Sequence, residues 1–497
     1  MMRINRMKNL IQKIIVILLF FLQGLIFAEN NYSSTNEYLR ITNDNNILWN
    51  LFDNETYTKY SFQYDGFNGN FKLPFESEKK DHLSLTASGG KYFKKGQFIS
   101  GDFSYHNQLI FNKKWVHNSV PYTGMPFFIA DSSVGNFKLN GISWNLNIVN
   151  EVIKNKLNYG VSFFYNVDEQ MKTVFPKPII KRSDFTVQLF SGIKTNNIIS
   201  TIYGKYFNFK ENIKTSRYSL EQGMTPIFIK IRNMDNPFVY YGETSEERLV
   251  SLQGYTCGIN FKSPKRLRIL AEYEYATAQN EDGGANMEEQ GSWFSNRFLY
   301  DAELKLKVKN IEISGFSNAM LNEQIAKYPD WNVETYEYKR KDFTNGIGIN
   351  YHFGERMFIK HGMYYSLYRF KRIDKFTGVL QYFPSSSLKA TIDINYAMSN
   401  KLNSNIYLSL KSVTPDDNII YDDLTGWYYN SITKEEKQYY SAYYDVYTIK
   451  MNISLKSDKS NIYIIEGEYS YISHNDDKRN SLDNRNYFSI NLILKRR

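Results

Sequence analysis

Apolar and polar residues alternate with a period of two through most of this chain. Ile142, Trp144, Leu146 and Ile148 stand against Ser143, Asn145 and Asn147, and Ala302, Leu304, Leu306 and Val308 against Glu303, Lys305, Lys307 and Lys309. The same alternation runs through Leu267, Ile269, Ala271, Tyr273 and Tyr275, and through Tyr447, Ile449, Met451, Ile453 and Leu455. A period of two places successive side chains on opposite faces of a strand, so each segment predicts a strand with one apolar and one polar face. About eighteen strands are expected, with sixteen as the alternative count. They are Tyr57–Gly66, His82–Phe93, Gly96–Asn107, Phe137–Asn150, Lys156–Val167, Asp184–Lys194, Asn197–Phe209, Ser251–Lys262 and Arg266–Gln279 in the first half. The second half supplies Arg297–Lys309, Ile311–Met320, Phe343–Phe353, Arg356–Lys371, Ser386–Met398, Leu402–Ser412, Ser441–Leu455, Asn461–Ser473 and Arg485–Lys495.

The connections between these strands alternate in length. Short turns fall at Lys94–Lys95, Glu151–Asn155, Thr195–Asn196, Ser263–Lys265, Lys309–Asn310, Gly354–Glu355, Ser399–Lys401 and Lys456–Ser460. Long polar loops fall between them, such as Gln108–Asn136, Lys210–Val250 and Val413–Tyr440. Short turns on one side and long loops on the other are the signature of a transmembrane antiparallel β-barrel with periplasmic turns and extracellular loops. The fold class is therefore all-β. An even strand count also puts both strand termini on the turn side. The polar faces carry both signs of charge, as a wet lumen allows.

The first residues predict a leader. Arg3, Arg6, Lys8 and Lys13 precede an apolar run from Ile14 to Phe27 broken only by Gln23 and Gly24, and Ala28 stands before Glu29-Asn30. This is the form of a cleaved signal peptide over 1–28. A periplasmic segment 29–56 follows, then the barrel from 57 to 497; Ile47–Phe52 is a candidate short helix or inward-tucked tail. The segment 29–56 is too short for the plug domain of an energy-coupled transporter. No cysteine follows the cleavage point closely enough for a lipid anchor, and beyond the leader no apolar run is long enough for a spanning helix.

Composition agrees with a barrel. Aromatic residues make up 16% of the chain, with 41 Tyr and 35 Phe, which suits the girdles that flank the lipid band of outer-membrane barrels. Mean hydropathy is −0.50, as expected when half of every strand faces water. The formal charge is +10, but four of those charges sit in the leader, leaving about +6 without a basic stripe of the kind nucleic-acid binding requires. The pairs and triplets Lys113-Lys114, Lys339-Arg340-Lys341 and Arg496-Arg497 read as solvated residues near lipid head groups. The single Cys257 lies mid-strand as a small packing residue.

Candidate chemistry is sparse. His82, His106 and His117 fall near outer loops, with Asp102, Asp131, Ser104 and Ser132 close in sequence, but no spacing makes a catalytic triad. His352, His361 and His474 complete the set. Asp416-Asp417-Asn418 with Asp422-Asp423, and Glu281-Asp282-Gly283-Gly284, are acidic loops without the Gly and terminal Glu of a calcium loop. No enzyme activity, metal or cofactor is expected. The charged inner faces make Glu272, Glu274, Glu303, Lys305, Lys307 and Lys450 candidate lumen-lining residues.

One loop is too apolar for a solvated connection. It holds Trp115, Pro121, Tyr122, Gly124, Pro126, Phe127, Phe128 and Asp131 within Asn112–Asn136. Three accounts stand: it folds into the lumen as a constriction, docks a partner protein, or binds a ligand.

The run from Pro121 to Asp131 followed by Gly135, and the run Val174-Phe175-Pro176-Lys177-Pro178 before a strand at Asp184, resemble an uncharacterised outer-membrane β-barrel family, a domain of unknown function of Bacteroidetes-type bacteria. The resemblance spans the mature chain and is distinctive in these two loops. It implies a Gram-negative outer-membrane location, company with an energy-coupled receptor or surface lipoprotein, and no established activity. The chain departs from many outer-membrane barrels at its end, where Leu494 is followed by Lys495-Arg496-Arg497 instead of a terminal aromatic; Phe488 and Leu492 are the candidates to be read by the barrel assembly machinery. The expected function is a channel or transport component for small polar solutes. The alternatives are a closed barrel serving as a surface binding partner or scaffold, and, further off, a barrel-embedded hydrolase.

Overall fold

The computed structural model describes residues 56–496 except 95, 115, 120–123, 132, 155, 175–176, 196–197, 216–227, 232–236, 241–246, 264–266, 284–285, 330–332, 355, 422–431, 458–460 and 475–483. The leader 1–28 and the candidate helix Ile47–Phe52 lie outside the described residues, as do Trp115, Pro121 and Tyr122 of the apolar loop.

Eighteen long antiparallel strands close into one ring. In chain order they begin with β1 (Tyr57–Gly69), β2 (Lys79–Lys94) and β3 (Gln97–Lys113). A short loop strand β4 (Phe128–Asp131) precedes β5 (Gly135–Ile153), β6 (Leu157–Lys172), β7 (Ile179–Thr195) and β8 (Ile198–Lys214). Two more loop strands, β9 (Phe228–Ile231) and β10 (Pro237–Tyr240), precede β11 (Glu247–Ser263), β12 (Leu267–Asp282), β13 (Glu288–Val308) and β14 (Ile311–Tyr328). The ring continues through β15 (Val333–Phe353), β16 (Met357–Asp374), β17 (Leu380–Ala397) and β18 (Leu402–Pro415). After the two-residue strand β19 (Ile420–Tyr421) and the helix α1 (Lys434–Tyr440), β20 (Tyr444–Lys456), β21 (Asn461–His474) and β22 (Arg485–Arg496) complete it. Closure is made by β1, which pairs with β2 on one side and β22 on the other, so that Phe62 lies opposite both Leu85 and Leu492. A closed ring leaves no free sheet edge, the condition for a sheet to lie in lipid.

The side-chain pattern is turned inside out relative to a soluble sheet protein. On β11, Tyr255 and Ile259 are 61% and 59% exposed, while Thr256 and Asn260 next to them are buried. Phe103, Ile142, Trp144, Leu189, Ile202, Leu304, Leu306, Ile347 and Met363 are likewise exposed, whereas Asn166, Asp168, Lys205, Glu272 and Arg297 are buried. Apolar outside and polar inside is the arrangement that lipid on one face and a wet interior on the other select. Cys257 is exposed on the lipid face. Phe98, Val149, Phe190, Tyr203 and Leu270 form an apolar cluster on the inner face toward the turn ends.

Strand ends on the turn side agree with the sequence expectation to within a few residues; on the loop side some agree, as at Arg485 of β22, and others run much further. Strands expected to start at Arg297 and Phe343 start at Glu288 and Val333, and the one expected to stop at Met320 runs to Tyr328. Above the lipid band both strand faces meet water or other loops, so alternation is no longer selected although the hydrogen-bond ladder continues. The cue is lost while the structure persists.

Candidate functional site

The loop between β3 and β5 turns inward across the mouth of the ring. His117 N donates to Ile129 O at 2.9 Å, and β4 pairs with β9, itself paired with β10, to make a small three-stranded sheet. Pro126, Phe128, Ile129 and Ala130 are all buried. Met125 and Phe127 pack against inner-face residues of the far wall: Phe209 of β8, Val250 and Leu252 of β11, Ala276 and Ala278 of β12, Trp293 of β13, Ala326 of β14, and Tyr336 and Tyr338 of β15. Phe127 is seated on Gly291 of β13, where an added Cβ would come within 2.1 Å of the ring. Asn280 Nδ2 lies 3.4 Å from Met125 Sδ. Gly124, at φ +90°, fits against Gln324 of β14.

Two buried polar clusters tie this loop to the wall. Lys172, at the outer end of β6, donates to both carboxylate oxygens of Asp131 at 2.9 Å and to the carbonyl and hydroxyl of Ser133 at 2.8 Å. Ser133 N donates to Asp131 Oδ1 at 2.7 Å, and His117 Nε2 donates to Asp131 Oδ2. Burial alone would raise the Asp131 carboxyl, but the His117 hydrogen bond and charge and the Lys172 ammonium hold it down at about 2. Burial lowers the His117 imidazole, against the pull of Asp131. The second cluster centres on Glu211 of β8, which is fully buried. It accepts from Asn118 Nδ2 at 3.2 Å, from Ser119 N at 2.9 Å and from the Ser119 hydroxyl. Lys113 Nζ donates to Asn118 O at 3.1 Å. A buried charge holds its place only where several hydrogen bonds replace its water, a condition that Asp131 meets through Lys172, His117 and Ser133.

Neighbouring outer loops complete the cover. Phe75, between β1 and β2, packs on Phe128 with ring centroids 5.5 Å apart. Phe71 stacks on Tyr439 of α1 at 4.8 Å, and Lys114 reaches Glu435 of α1 at 3.6 Å. The helix is pinned to the wall by the buried pair Arg372–Glu436. Three loops thus touch one another over the mouth.

Beneath the cover a polar ladder crosses the inner wall. His82 Nδ1 lies 2.9 Å from Asp65, and His106 Nε2 lies 2.7 Å from Asp168. Asp168 also accepts from Asn166 Nδ2 at 2.8 Å, and Arg182 binds Asp184 at 2.8 Å. The His106–Asp168 bond passes over β5 at Gly141, where a Cβ would lie 2.0 Å from Asp168 Oδ1 and 2.3 Å from His106 Nε2. Only glycine leaves room for it.

All six charged candidates stand on the face opposite the exposed apolar residues, but their surroundings differ. Glu272 and Glu274 are buried and bound by Arg297 at 3.2 and 2.9 Å, with Tyr203 Oη donating to Glu272 at 2.5 Å. Glu303 and Lys305 pair at 3.2 Å, and Lys450 pairs with Glu468 at 3.1 Å. Lys307 is exposed and, among the described residues, makes no ion pair. Lys172, Glu211 and Arg297 escaped the sequence reading because each partner lies far away in the chain, as does the His106 partner of Asp168. The available signal was a glycine, Gly141, within an otherwise regular strand.

The closed ring with apolar outer and polar inner faces defines an outer-membrane β-barrel. The chain belongs to the family of unknown function DUF6850, whose model matches residues 47–495. No curated protein matches it. Among solved structures it is similar to the copper transporter OprC, with a TM-score of 0.44 at 8% identity over 88% of this chain and 80% of that one. It is similar to the outer membrane transporter YddB of Escherichia coli, with a TM-score of 0.42 at 8% identity over 88% and 80%. For OccAB3 of Acinetobacter baumannii the TM-score is 0.37 at 10% identity, over 89% and 99%.

Proposed function

We propose that this protein is a gated transport component for small polar solutes, its outer mouth held closed by the loop between β3 and β5. The observation that carries this reading is the anchoring of that loop. It reaches the far wall, yet it is held there by ion pairs and by side-chain packing, contacts that can be exchanged without breaking the ring. Below it the wall carries both signs of charge, and rings of charge set the selectivity of a water-filled passage. An energy-coupled receptor or a surface lipoprotein acting on the outer loops is the kind of partner that would open such a cover. The reading is not enzymatic: His82, His106 and His117 each face a carboxylate, and among the described residues none brings a hydroxyl to its imidazole.

Single-channel recording of the refolded mature chain in planar bilayers tests it, with residues 116–130 replaced by a short Gly-Ser bridge in a second variant. The intact chain should be closed for most of the record, and the shortened one should give steady, ion-selective conductance. A folded, shortened barrel that conducts nothing would overturn the transport reading in favour of a sealed scaffold.

A further inference from the structure

The outward face of β15 and β16 carries cations directly opposite one another. Lys341 pairs in register with Arg369, and Lys339 with Lys371. Like charges facing across a ladder destabilise a sheet unless something neutralises them. Lys339 has acidic neighbours, Glu337 at 2.8 Å and Glu323 opposite it on β14. Lys341, Arg369 and Lys371 make no ion pair among the described residues. The strands on either side offer Leu321 to Lys341, Pro384 to Arg369 and Tyr382 to Lys371.

Height explains what the chain itself leaves uncompensated. Immediately toward the turn side of these cations, the same faces become apolar and exposed, with Phe343 and Ile347 on β15 and Met363 and Tyr365 on β16. The stretch from Phe343 to Phe353 is about the length a tilted strand needs to cross the hydrocarbon. Lys341, Arg369 and Lys371 therefore stand at the upper rim of the lipid band, on the side of the long loops, where outer-leaflet head groups lie. A guanidinium offers a forked donor pair to two phosphate oxygens, and ammonium groups add point charge around it.

We propose that Lys341, Arg369 and Lys371 form a binding site for the phosphate groups of an outer-leaflet glycolipid. The proposal rests on the barrel and its lipid band and is independent of whether the lumen conducts. The full mature chain, and a variant carrying Lys341→Gln, Arg369→Gln and Lys371→Gln, would be placed in nanodiscs containing phosphorylated lipid A or its dephosphorylated form, and bound lipid counted by native mass spectrometry. Lys210→Gln, an outward-facing change on β8, serves as the control, and the folded state of each variant is checked by heat-dependent gel migration. Wild type and control should retain phosphorylated lipid A. The triple variant should lose at least about tenfold of that retention, since each cation near a charged surface adds to the attraction. Equal retention by the folded triple variant, or equal retention of the dephosphorylated lipid, would overturn the site. Inorganic phosphate displacing lipid A at an ionic strength where chloride does not would assign the site to free phosphate instead and overturn the lipid assignment.

Discussion

Asp131 gathers more of the cover onto one side chain than any other described residue of the loop: it takes two hydrogen bonds from Lys172, one from His117 and one each from the Ser133 amide and hydroxyl. Asp131→Asn would leave the Lys172 ammonium buried without its counter-charge, a loss on the order of 3–5 kcal/mol where one partner of a buried pair is removed. The expected outcome is local, with the barrel intact and the loop released, and protease cleavage within residues 116–130 of otherwise folded protein checks it. Acid should act in two stages. His117 has a lowered pKa in the closed state, so the open state binds the extra proton, and closure weakens as pH falls below the ordinary histidine value of about 6.5. Asp131 is depressed to about 2, so its contribution is complete above the ordinary carboxyl value of about 3.9 and is lost between there and about 2. Cleavage measured against pH should therefore rise first below about 6.5 and again below about 4. A flat profile from neutral pH to about 5 would remove His117 from the latch. Very little of this was legible in the chain. Asp131 stood out for its unusually apolar loop, but Lys172 and Glu211 fell beyond the expected strand ends at Val167 and Phe209, and only the fold set them on β6 and β8 beside the loop.

At the scale of elements, the strands were readable where lipid wrote the pattern. The segment Leu304, Leu306, Val308 must show a greasy face because hydrocarbon touches it, and that requirement is visible in one dimension. Above the lipid band β13 reads Glu288-Glu289-Gln290-Gly291, with no alternation to mark a strand, although Gly291 pairs with Asn280 and Ser292 with Gln279. The glycine is there to admit Phe127, a reason that lies in another loop. Hydrogen exchange on the detergent-solubilised barrel is expected to show protected amides through 288–296 and 333–342, as in the membrane-level parts of β13 and β15. Exchange in these stretches at the rate of free loops would mean that the strands end where alternation ends. The small sheet of β4, β9 and β10 had no signal of its own, since four-residue strands assembled from two distant loops carry too little pattern to register.

For the whole molecule, closure of the ring turns a list of alternating segments into an inside and an outside. Once β1 meets β22, each polar face points at the same interior, and Lys305 and Lys307 project toward the turn-side opening, with Lys307 free of any ion pair among the described residues. In a barrel opened by removing residues 116–130, Lys305→Glu with Lys307→Glu is expected to shift the reversal potential in a salt gradient toward cation preference. An unchanged reversal potential would show that the charges governing passage lie elsewhere, with the Glu272–Glu274–Arg297 cluster the next group to alter. Glu272 and Glu274 themselves were expected as lumen charges; buried and bound by Arg297, they present less field to a passing ion than their formal charge suggests.

The sequence by itself determined the all-β class, the turns and the membrane-facing side chains, and narrowed the strand number to eighteen or sixteen, because contact with lipid and the geometry of tight turns act on residues adjacent in the chain. Only the tertiary structure decided that the apolar loop crosses the mouth, which charges are neutralised and which outer loops touch. Those outcomes depend on pairs such as Asp131 with Lys172 and Phe127 with Gly291, which meet only after the ring has closed.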